Sequence, residues 1–126
     1  MKKIIETSLA PTPIGPYSQA VQIDKLLFLS GQIAIDPATH ELLTHSITQE
    51  TTRIMENIKA ILHEVNYDFK DIVKATIFIN DMKHFAKVNE VYGSYFDTAF
   101  PARETVAVQG LPKDVNVEIS VIAYKV

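Results

Sequence analysis

The alternation of apolar and polar positions changes period several times along the chain. Residues 1–18 read as an extended segment, and AVQIDKLLFLSGQIAID (20–36) as short strands with a tight turn at Asp24-Lys25. Neither turn residue favours the positive φ that such hairpins want. Leu26 to Ser30 is apolar on both faces, as in a strand covered on both sides. DPATHE, Asp36 to Glu41, marks a turn. The period then becomes helical: Ile47, Ile54, Ile58, Ile61, Leu62 and Val65 share one face. Ser46 with Gln49 makes a capping box, and Asn66 can end this helix.

From Ile72 to Asn80 the period returns to two. Val73, Ala75, Ile77 and Ile79 face one way, and Lys74, Thr76 and Phe78 the other. Asp81 caps a second helix with the stripe Phe85, Val88, Asn89, Tyr92, Tyr95 and Phe96. Asn89 is the polar exception on that stripe. Two strands close the chain, Ala102–Val108 and Val115–Tyr124. The LPKD turn between them is short, so the spacing predicts an antiparallel pair.

The order β-β-(β)-α-β-α-β-β predicts a single α+β domain over 1–126, with two helices packed on one face of a mixed sheet. Phe28, Phe78, Val106 or Thr105, Ile122 and Tyr124 can line the other face. A half-apolar face needs a partner, and self-association into a closed ring is the simplest one.

Composition narrows the chemistry. There is no cysteine, which removes thiolate nucleophiles, disulfides and cysteine-based metal sites and fits a reducing, cytoplasmic setting. The two N-terminal lysines precede no long apolar core, so no signal peptide is expected, and no run approaches the roughly 20 apolar residues of a membrane span. Net charge is −3, with twelve basic residues dispersed, which argues against nucleic acid as the main partner. The four histidines, His40, His45, His63 and His84, do not pair at metal-ligand spacing, so no metal or cofactor is expected. Phosphate-loop, nucleophile-elbow and dinucleotide patterns are absent.

Two charged residues stand out. Arg103 opens a strand directly after Pro101-Ala102, and Glu118 sits inside an apolar strand. They are either a surface cross-strand pair, contributing under about 1 kcal/mol, or parts of a site. With Asn89, Tyr17 and Ser30 they would make a donor-rich site holding one carboxylate. Arg103 would grip a substrate carboxylate bidentately. Thr105, about 7 Å further along the same face, could offer its backbone N–H to the same anion. Glu118 could orient or deprotonate a water.

GPYSQA (15–20), FLSGQI (28–33), Val88-Asn89, FPAR (100–103) and LPKDVNVEI (111–119) together resemble the Rid, or YjgF-like, family of reactive intermediate deaminases. The likeness runs in register from about Gly15 to the C-terminus. It implies a chorismate-mutase-like fold and a barrel-like homotrimer with sites between subunits. The activity it implies is hydrolysis of enamines and imines of the 2-aminoacrylate/2-iminopropanoate type to 2-keto acids and ammonia. By position, Arg103 and Glu118 match the family's carboxylate-binding arginine and water-positioning glutamate. Tyr17, Ser30, Gly31, Asn89 and Phe85 match residues of the cleft. Many members carry a small residue and then a cysteine after the arginine; here those are Glu104 and Thr105. The alternative reading is a trimeric, non-catalytic binder of a small carboxylate such as a keto acid. A ribonuclease or translation-inhibitor role, ascribed to some members, fits the charge poorly.

Overall fold

The computed structural model describes residues 1–126. Strands β1 (Lys3–Ile5), β2 (Ala20–Ile23) and β3 (Leu26–Leu29) are followed by helix α1 (Ile47–Glu64). Strand β4 (Ile72–Ile79), helix α2 (Phe85–Gly93), β5 (Ala102–Ala107) and β6 (Val117–Tyr124) complete the chain. All six strands form one sheet in the order β1-β2-β3-β6-β4-β5. Every neighbouring pair is antiparallel except β4 and β5. Parallel neighbours need a crossover, and α2 supplies it.

This topology overturns the expected pairing of the last two strands. β4 lies between β5 and β6. The LPKD segment is not a hairpin turn but part of a loop that crosses the end of β4. Lys113 (φ 54) and Asp114 (φ 60) both take left-handed conformations there. The loop is fastened at both sides: the Val108 N–H donates to the Ile79 carbonyl at 2.8 Å, and the Asn80 N–H to the Asn116 carbonyl at 3.0 Å. The physical reason lies in β6 itself. Val117, Ile119, Val121 and Ala123 are all buried, and a central position between β3 and β4 covers them as a terminal hairpin would not.

Local signals mostly act as expected. The Ser46 hydroxyl accepts the Gln49 N–H at 3.1 Å, while the Gln49 side chain accepts from His45 rather than from Ser46. Asn66 follows α1 at φ 64, and Asp24 turns the β2–β3 hairpin at φ 52. Two details differ. A bulge in β4 turns Val73 outward and gives its core place to Ile72. Asp81 caps a 3-10 turn, Met82–His84, ahead of α2, and α2 ends at Gly93. Tyr95 and Phe96 therefore lie past the helix, packed on Phe69 with ring centroids 5.1 and 5.8 Å away.

Both helices cover the face carrying Ala75, Ile77, Ile79 and the inner side chains of β6. Ile54, Ile58, Ile61 and Leu62 of α1 and Val88 of α2 fill the space above them. The opposite face shows Phe28, Val106 and Tyr124 at 40, 44 and 43% exposure. Thr105 points to the helix face, so Val106 is the residue on the open one.

One buried carboxylate ties the two layers. Glu50 in the first turn of α1 is fully buried. Its Oε2 accepts the backbone N–H of Asn116 at 2.8 Å and of Val117 at 2.9 Å, and its Oε1 accepts the Asn116 amide at 2.8 Å. Removing such an acceptor strands its donors in the interior. Glu50→Ala is expected to lower the unfolding free energy by about 3 kcal/mol, against under about 0.5 for the exposed Glu41→Ala. Urea denaturation of both variants measures the difference.

Candidate functional site

The sequence-predicted site residues fall into two groups on opposite faces of the sheet. In a parallel pair, residues in register face the same way, and Arg103 and Thr105 are in register with the core residues Ala75 and Ile77. Arg103 therefore points to the helix side. Glu118 is in register with Phe78, on the open side. The expected cross-strand contact between Arg103 and Glu118 is absent, because a whole strand and a change of face separate them.

The first group surrounds Arg103. Its Nη1 donates to Asn89 Oδ1 at 2.5 Å. Its Cζ lies 5.2 Å from the Tyr92 ring centroid and 5.7 Å from that of Phe85. Arg103, Asn89, Tyr92, Phe100 and Pro101 line a cleft of about 330 Å³. Pro101 stiffens the approach to β5 and has no N–H to satisfy. Burial raises the Tyr92 phenol to about 12, with the Arg103 charge pulling the other way. The Thr105 hydroxyl is buried without a partner. Glu104 points away from this cleft and pairs with Lys74 at 3.3 Å, so its charge is not directed at the guanidinium.

The second group surrounds Glu118. Tyr17, Ser30, Gly31, Gln32, Pro112 and Glu118 belong to a cleft of about 310 Å³. Gly31 leaves there the space that the Glu118 carboxylate occupies, and a side chain at 31 would make that carboxylate shift. A Cβ on it would stand 2.1 Å from Glu118 Oε2 and 2.8 Å from Cδ. Ser30 is a framework residue: its hydroxyl donates to the Ser18 carbonyl at 2.5 Å and its N–H to the Gln19 carbonyl at 2.9 Å. The Tyr17 hydroxyl accepts the Ile14 N–H at 3.2 Å, which folds the loop back on itself at the cleft mouth.

Gln19 was not foreseen as part of this site. It is buried, and its amide accepts the Thr7 N–H at 2.7 Å. It donates to the carbonyls of Thr7, Ala10 and Pro11 at 3.0, 3.3 and 2.9 Å. This one side chain holds the strap 7–11, whose Pro11 lines the cleft. No group of three or more His, Asp or Glu side chains converges as metal ligands would. No helix is long and apolar enough to cross a membrane.

The six-strand sheet with two helices on one face is the YjgF/RidA class of fold: the crystal structure of the E. coli YjgF gene product superposes with a TM-score of 0.94 at 39% identity, covering 98% of this chain and 99% of that one. The chain belongs to the family whose model is described as Endoribonuclease L-PSP, the Rid family, which matches residues 7–125. It is 51% identical to the RutC family protein PH0854 of Pyrococcus horikoshii over 99% of both chains. It is 44% identical to the 2-iminobutanoate/2-iminopropanoate deaminase of Bos taurus, covering 98% of this chain and 90% of that one. The crystal structure of E. coli TdcF with bound serine superposes with a TM-score of 0.94 at 42% identity, covering 98% of this chain and 99% of that one.

Burial raises the Glu118 carboxyl above its ordinary range. The fold thus disfavours its ionised form. Its contribution to stability is present below the unfolded pKa and is lost as pH rises through the higher folded one. Glu118→Gln should therefore stabilise the fold near pH 7 and change it little near about pH 3, where both states are protonated. Urea melts at the two pH values test this, and an equal gain at both would contradict the burial account.

Proposed function

We propose that this protein hydrolyses small carboxylate-bearing imines, and the enamines that tautomerise to them, to 2-keto acids and ammonia. We propose further that it does so as a homotrimer whose sites each combine the Arg103 group of one copy with the Glu118 group of the next. One observation carries this reading. The two halves of the chemistry lie on opposite faces of one sheet, and an apolar face waits uncovered beside the second half. A neighbouring copy that covers that face would bring the missing half with it. The name of the bovine relative and the serine bound to TdcF support a small amino-acid-like ligand.

In this mechanism the substrate carboxylate docks on Arg103, with the Thr105 backbone N–H as a further donor. Arginine presents five N–H donors, and Asn89 occupies one of them. Glu118 accepts a proton from water as the water oxygen attacks the imine carbon. The nitrogen takes that proton as the carbinolamine forms. It takes a second one, equivalent to the hydroxyl proton lost at the end, before the C–N bond breaks and ammonia leaves with both electrons of that bond. The remaining hydroxyl proton is lost and the ketone forms. A carboxylate of raised pKa suits both directions of that proton transfer. Enamines and imines already hydrolyse in water, so positioning and electrostatics supply the acceleration.

Arg103→Ala should lower kcat/KM for 2-aminoacrylate generated in situ by at least about 100-fold. Ammonia release at the wild-type rate by a folded, assembled variant would end the proposal. Glu118→Gln separates catalysis from binding alone. It should keep 2-oxobutanoate affinity within about threefold while hydrolysis falls to background. Full turnover by that variant would leave the non-catalytic carboxylate binder as the better reading. The family description also names an endoribonuclease. The dispersed basic residues and net charge of −3 do not favour it.

A further inference from the structure

Helix α2 builds a seat under Arg103. Phe85, Asn89 and Tyr92 fall at i, i+4 and i+7 and so share one face of the helix. Asn89 supplies the hydrogen bond, and the two rings supply a floor for the guanidinium. Tyr92 is the more buried of the pair, at 3% exposure. Its ring also packs at 4.9 Å between centroids on Phe96, itself part of the Phe69 cluster. That backing fixes the plane of the ring. Its hydroxyl is buried and has no hydrogen-bond partner. A buried donor left unmade is a cost, not a contact. The ring face, and not the phenol, is what meets Arg103.

We propose that Tyr92 is a positioning residue for carboxylate recognition, its ring holding the Arg103 guanidinium in the plane that presents the free N–H groups to the cleft. This rests on the reading that Arg103 grips the substrate carboxylate. Without the ring the long arginine stem regains rotamers that must be frozen again on each binding event. The consequence falls on binding, because the Glu118 chemistry lies elsewhere in the chain.

The test compares Tyr92→Phe, Tyr92→Leu and Arg103→Ala in the full chain. Binding of 2-oxobutanoate is read by calorimetry, KM and kcat by ammonia release, and folding by thermal melts. Tyr92→Phe should hold KM and affinity within about twofold, since it keeps the ring. Tyr92→Leu should weaken 2-oxobutanoate binding and raise KM by about tenfold, with kcat within about threefold. A structural role alone would lower kcat and thermal stability without that split. Phe85→Leu, at a half-buried position, carries the same prediction at about threefold should the leucine variant at 92 not fold. The inference is overturned if the leucine variants bind as wild type does, or if Tyr92→Phe is as damaging as Tyr92→Leu. Arg103→Ala separates the two layers of the argument. If it loses binding while Tyr92→Leu does not, the carboxylate reading stands and the role of Tyr92 falls. If Arg103→Ala itself keeps binding, both fall.

Discussion

A strand shows its side chains alternately to its two faces, so the register of β4 with its two neighbours decides which chemistry shares a face. β6 sets Glu118 opposite Phe78, and β5 sets Arg103 beside Ala75. A slip of one residue in either ladder would reverse a face and bury a charge in the core. That register is itself fastened by Glu50, which binds the N–H groups of Asn116 and Val117 just where β6 begins. The buried carboxylate of α1 thus fixes where Glu118 starts to count along its strand. The placing of Glu118 depends on a buried residue of the other layer.

Each half of the candidate site also rests on a close approach of side chains. Gly31 gives up its side chain so that Glu118 can lie over the backbone. Burial of the carboxyl in this cleft raises its pKa. On the other face, aromatic rings take the place of a carboxylate partner for Arg103. The guanidinium is held in place by the two rings and Asn89. An anion arriving at that cleft meets a donor fork whose opposing charge has not already been supplied by the protein.

Much of this was legible in the sequence. The two helices, the strand phases and the α+β layering follow from periodicity, and Asn89 showed itself as a polar break in the α2 stripe. Glu50 and Asn57 carried the same signal on α1 but were not singled out; both are fully buried. The Asn57 amide donates to the Ile33 and Ile35 carbonyls at 3.3 and 3.0 Å. Strand order was not legible. A short connection between β5 and β6 favours a hairpin locally, and only the demand of β6 for two neighbours overrides it. The mistaken pairing mattered, because it placed Arg103 and Glu118 together within one chain. The motifs drew attention to Arg103 and Glu118, and the expected strand pairing gave the wrong contact between them. Gly31 drew attention through its motif, but its reason is a steric distance that no spacing reveals.

The central claim is that a working site takes Arg103 from one copy and Glu118 from another. Equal amounts of Arg103→Ala and Glu118→Gln chains, each inactive alone, can be unfolded together and refolded into mixed assemblies. Random assortment should then restore about one quarter of the wild-type sites, those with Arg103 from the second variant and Glu118 from the first. Ammonia release at roughly that fraction of the wild-type rate is the expected result. Mixed assemblies of confirmed composition that remain as inactive as either parent would contradict the account.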